Sequence, residues 1–169
     1  MNDWGRRTYG EPCRECGYSW SIAPADAQLL VAGIPARLSL MLTGAQGDER
    51  HPTLAWSVTS YVAHIGDNLR IWAERLAGVT RGGSTAIATY DDNKLAAARN
   101  YEALSLPGAL WTLERSVRDW IEAVALAPLD LEMMHPHRGP IRRDDIICSN
   151  AHDALHHVWD IERSLTICS

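Results

Sequence analysis

Asn150-Ala-His-Asp-Ala-Leu-His-His-Val-Trp-Asp-Ile161 is the stretch on which the fold of this chain turns. Ile147, Ala151, Ala154, Val158, Ile161 and Leu165 recur there at three- and four-residue steps. That is the stripe of an amphipathic helix, and it predicts one over residues 143–166. His152 and His156 border the stripe one turn apart, so their imidazoles share a helix face. Such a pair can hold one divalent metal ion. A third ligand from another helix leaves a coordination position open, which separates a catalytic metal from a structural one.

Working outward, Trp56-Ser-Val-Thr-Ser-Tyr-Val-Ala-His-Ile-Gly-Asp-Asn68 opens a second helix, expected over 57–77. Its stripe is Val58, Val62, Ile65, Leu69, Trp72 and Leu76, and His64 lies beside it as the candidate third ligand. A helix over 24–42 sets Ala27, Leu30, Ile34, Leu38 and Met41 on one face, with a kink or break expected at Gly33 and Pro35. Another over 107–126 presents Leu110, Leu113, Val117, Trp120 and Val124, with Pro107 suited to its first turn. Residues 127–141 read as loop. Residues 79–106, with a short helix between Asn93 and Leu104, read as a lid or substrate wall. No stretch shows a strand pattern. The fold class is therefore all-α, an antiparallel four-helix bundle. It forms a single domain over 1–169, with residues 1–23 as an irregular arm.

The 169 residues suit one domain, and 46% apolar content is enough for a substantial core. A net charge of −5 without a basic run argues against nucleic acid as a partner. No segment approaches the ~18 to 20 apolar residues of a membrane span. The first residues lack the apolar core of a signal peptide, so a cytoplasmic protein with reduced cysteines is expected. With no Phe and seven Trp, indoles supply the large core pieces, and Trp72, Trp111, Trp120 and Trp159 are expected in the interior.

Cys13-x-x-Cys16 in the arm admits several readings. A structural zinc site needs two further ligands, and no second C-x-x-C exists; a redox pair normally opens a helix in a βαβ setting, which is absent. An inert or structural role and a metal clip completed by other residues both stay open. Cys148 and Cys168 read as unrelated thiols. Asp160, four residues after His156, and Asp67, three after His64, are candidate acceptors orienting those rings. His157 sits about 140° around the helix from His152, so it is expected outside that metal, bonded to the arm or first loop. Trp72, Arg75, Asn93 and Tyr101 are candidate substrate contacts. No carboxylate is placed as a general base, and no catalytic residue is assigned beyond the metal ligands.

Trp56-Ser followed by His64, and His152-Asp-Ala-Leu-His156-His157-Val-Trp-Asp160, resemble the DinB-like metal-binding four-helix bundles. That group includes mycothiol and bacillithiol S-transferases and mycothiol-dependent maleylpyruvate isomerase. Glu11-Pro-Cys-Arg-Glu-Cys-Gly17 looks like a leader of one of its branches. The resemblance implies that His64, His152 and His156 bind zinc or nickel. It further implies a transferase in which a low-molecular-weight, mycothiol-like thiol attacks an electrophilic small molecule. An isomerase, a hydrolase, or a non-catalytic metal-binding or stress-related protein are the alternatives, and a homodimer is compatible with each.

Overall fold

The computed structural model describes residues 3–166. Six helices occur among them: α1 (Trp4–Tyr9), α2 (Pro24–Met41), α3 (Val58–Thr80), α4 (Asp92–Ala98), α5 (Leu106–Leu126) and α6 (Arg143–Thr166). The four long ones, α2, α3, α5 and α6, are those the periodicity predicts. α3 packs on α5 and α6, and α2 packs on the same two, so α2 and α3 stand diagonally across the bundle. α3 lies close to α5 at Gly66, where a Cβ would sit in van der Waals contact 3.4 Å from the Leu113 Cα. Trp120 is fully buried, and its indole donates to Asn150 Oδ1 at 2.8 Å, which ties α5 to α6 across the core. Caps match the chemistry at two starts: Ser57 Oγ accepts from Ser60 N, and Ser105 Oγ from Gly108 N.

Several expectations need correcting. α2 runs unbroken through Pro35, because Val31, Ile34 and Leu38 are held in the core on either side. Leu30, expected on the core face of that helix, is 40% exposed. Trp111, expected inside, is exposed at 61% and lies under the Arg115 guanidinium instead. Trp159 is half-buried beneath Arg163. The 127–141 loop contains an antiparallel hairpin, β1 (Glu132–His135) and β2 (Gly139–Arg142). Met133 and Ile141 pair across it and both face the core. Ala86 adds a parallel bridge to Met134, tying the 79–106 segment to the hairpin.

The arm is ordered by the bundle beneath it. Gly5 sits under the Trp20 ring, where a Cβ would fall 2.3 Å from the indole. Tyr18 donates its hydroxyl to the Cys148 carbonyl at 2.9 Å. Cys168 lies outside the described residues.

Candidate metal centre

α6 carries two i, i+4 pairs offset by one residue, His152/His156 and Asp153/His157. A one-residue step is about 100° around a helix, so the two pairs face different neighbours. His64 of α3 meets the second pair. One ligand atom from each of His64, Asp153 and His157 lies within 4.8 Å of the others. His64 Nε2 is 3.9 Å from Asp153 Oδ2, and His157 Nε2 is 3.8 Å from Asp153 Oδ1. Those gaps are too long for direct hydrogen bonds. Two donors each ~2.1 Å from an ion stand about 3.4 Å apart at the tetrahedral angle and at most about 4.2 Å apart, so each histidine–Asp153 span is within reach of one cation.

The surroundings hold these donors ready. His157 Nδ1 faces Asp160 Oδ2 at 3.0 Å, and Arg163 donates to the other oxygen of that carboxylate. This is the outer-shell arrangement that leaves Nε2 for a metal. Asn68 donates to Asp153 Oδ2. His64 is 3% exposed and its Nδ1 is buried without a hydrogen-bond partner. The Trp56 ring stands 4.9 Å from the His64 ring, and that of Tyr61 stands 5.3 Å from His157, forming an aromatic wall. Burial works against the Asp153 carboxylate, but His157, His64 and the Asn68 amide outweigh it and hold its pKa below the ordinary value. Burial likewise opposes charge on His157, yet Asp160 and Asp153 raise its pKa. Burial lowers the pKa of His64 despite Asp153.

The predicted triad of His64, His152 and His156 is not brought together as one such group among the described residues. His152 and His156 instead turn toward the arm and form a separate group with Cys13 and Cys16. His157, expected to bond to the arm or first loop, faces His64, their ring centroids 4.7 Å apart. Asp160 serves His157 rather than His156. Asp67 does not orient His64: it accepts from the Tyr101 hydroxyl at 2.7 Å and pairs with Arg99 and Arg70. Asp153 was missed as a candidate ligand, although its four-residue spacing to His157 is the same signal as that of His152 and His156.

A polar cleft of about 160 Å³ reaches the site, and Asp153 belongs to both. Trp72 and Arg75 line it, with Arg75 stacked 4.7 Å over the Trp72 ring. Tyr90 and Asp92 enter from the 79–106 segment, while His135 and Arg138 come from the hairpin. These last two had no role from the sequence, because their segment read as a loop without a ligand spacing. Asn93 is exposed and does not line the cleft, and Tyr101 is buried against Asp67. Burial, Arg138 and Arg75 push the pKa of His135 down to about 4. Burial, with Asp153 adding to it, raises that of Asp92. A larger cavity of about 580 Å³ between the arm, α2 and α6 contains neither His64 nor Asp153.

A histidine–carboxylate cluster between two helices of a bundle is an arrangement in which helical proteins can hold a metal. The DinB superfamily sequence model matches residues 35–161, and the chain belongs to that superfamily. Among solved structures, YfiT from Bacillus subtilis is similar in fold, with a TM-score of 0.69 and 17% identity. The match covers 88% of this chain and 91% of that one. YfiT is described as a probable metal-dependent hydrolase with an unusual four-helix bundle topology. No curated protein matches the chain. No helix among the described residues is long and apolar enough to cross a membrane.

Proposed function

We propose that this protein is a metal-dependent transferase that activates a low-molecular-weight thiol for attack on an electrophilic small molecule. His64, Asp153 and His157 are the residues that would hold the ion, zinc or nickel by the nature of the donors. The observation that carries this reading is that Asp153 is shared between the ligand cluster and the polar cleft. Three protein donors beside a cleft leave room for an exogenous ligand. A divalent ion bound there supplies Lewis acidity, lowering the pKa of a thiol into the neutral range.

The chain's own groups then have distinct tasks. Arg75 and Arg138 line the cleft and favour a thiol bearing carboxylates or a similar anionic group. Tyr90 and His135 offer hydrogen bonds to its polar body, His135 as a neutral imidazole. Trp56 and Tyr61 exclude water from the imidazole side. Asp92 favours a second reading, a hydrolase. Its raised pKa at the cleft suits a carboxyl that moves a proton to or from water.

A metal-reconstituted preparation, assayed for thiol consumption with alkyl halides and Michael acceptors, and separately for ester and amide hydrolysis, tests both. The thiol reading expects metal-dependent thiol loss that drops at least about 100-fold in His64→Ala, Asp153→Ala and His157→Ala. Arg138→Ala should raise KM for an anionic thiol with little change in kcat. Hydrolysis without thiol consumption, sensitive to Asp92→Asn, establishes the second reading. Inactivity in both assays with the metal bound overturns the two together.

A further inference from the structure

Cys13, Cys16, His152 and His156 each offer a ligand atom within 4.8 Å of the other three. These residues lie apart from His64 and contribute nothing to the polar cleft. We propose that they form a second metal site, a closed Cys₂His₂ zinc clip that fastens the N-terminal arm to α6. The donor set and the C-x-x-C spacing are those of structural zinc, with all four positions taken by protein.

The local backbone is shaped for it. Gly17 N donates to Cys13 O at 3.0 Å, and Cys13 N donates to Tyr18 O at 2.8 Å, a tight knuckle closed by Gly17 at φ +73°. This turn points both thiols at one side, where His152 and His156 present themselves a helical turn apart. Cys13 Sγ lies 3.9 Å from His156 Nδ1, close to the ~3.6 Å expected for sulfur and nitrogen on one tetrahedral zinc. The other nitrogen of His156 faces the Glu15 carboxylate at 3.1 Å, so the knuckle also supplies the acceptor that orients its own histidine ligand.

A second, independent observation points to a ligand. His152 is 5% exposed, and its Nε2 is buried with no hydrogen-bond partner. Tyr9, Tyr18 and Trp20 surround it with ring centroids at 4.6, 5.3 and 4.5 Å. An unpartnered nitrogen in such a dry setting is costly, and ligation by zinc offsets that cost. The clip also has a consequence for the cleft. Trp4 at the start of the arm lies 3.7 Å beneath the guanidinium of Arg138, so fastening the arm positions a cleft residue.

The test uses the full-length protein loaded with Zn²⁺ or Co²⁺ alone, without substrate. With the proposed His64 site also loaded, the clip predicts two tightly held zinc equivalents, one for each group. Titration of the native protein with an organomercurial should release one of them, in step with modification of Cys13 and Cys16. Co²⁺ should give a thiolate-to-metal charge-transfer band that is lost in Cys16→Ser and retained in His157→Ala. A Co²⁺ spectrum without thiolate charge transfer overturns the clip. So does retention of both zinc equivalents after the cysteines are modified, and so does a Cys13–Cys16 disulfide with no metal bound. Each of these outcomes leaves the His64 site standing or falling on its own assays.

Discussion

His157 is the residue on which the proposed centre pivots, because it would be a donor and its proton is held more tightly than an ordinary histidine's. Asp160 and Asp153 outweigh burial and raise its pKa above the ordinary 6.5. Binding a metal through Nε2 must displace a proton that the folded protein holds more strongly than an ordinary histidine would. Protons therefore compete from a higher pH than usual, and affinity falls as pH drops through that raised value. Zn²⁺ affinity measured by chelator competition should climb steadily from pH 6 to about 8. In Asp160→Asn, which weakens the hold on the proton, the climb should shift to lower pH. A flat profile in the unsubstituted protein would remove His157 from the ligand set. The sequence made a metal pair on this helix legible but not its assignment. Two i, i+4 pairs one residue apart have the same spacing, and the packing of α6 on α3 decides which faces His64. One clue was available: a C-x-x-C lacking two ligands and a histidine pair lacking two are complementary.

Among the elements, the loop between α2 and α3 sets the aromatic wall of the site, and Gly47 is its fixed point. Its φ is +95°, and a Cβ there would fall 2.2 Å from Thr59 Oγ1 and 2.9 Å from the Leu106 Cβ. Gly47 O also accepts from Thr59 N at 2.8 Å, so the turn is locked to the first turn of α3. Gly47→Ala should destabilise the fold by on the order of 3 kcal/mol, combining backbone strain with the clash. Gly44, at φ +86° with no atom within 4 Å of a Cβ, isolates the backbone part, and Gly44→Ala should cost about 1 kcal/mol. Denaturant unfolding measures the difference, and equal losses would show that Gly47 is not sterically committed. The long helices were legible because their buried stripes persist over several turns. The hairpin was not, since each strand has four residues and one includes Pro140, which lacks the N–H a ladder uses. Its register comes from Met133 and Ile141 meeting the core, a tertiary effect that local alternation does not encode.

For the whole molecule, the bundle places two donor groups of different character on one helix. On one face of α6 a carboxylate and a histidine meet α3 at the edge of a cleft. On the other, two histidines meet a cysteine knuckle in the arm. Under the two proposals, this division would give α6 a catalytic face and a fastening face. The most direct measurement is anomalous diffraction at the metal absorption edge from crystals grown with Zn²⁺ or Ni²⁺. A metal held as proposed gives a peak bounded by His64, Asp153 and His157, with donor distances of ~2.0 to 2.2 Å and at least one position left to solvent. A peak held by His64 together with His152 and His156, or none beside His64 in metal-loaded protein, would contradict the proposal.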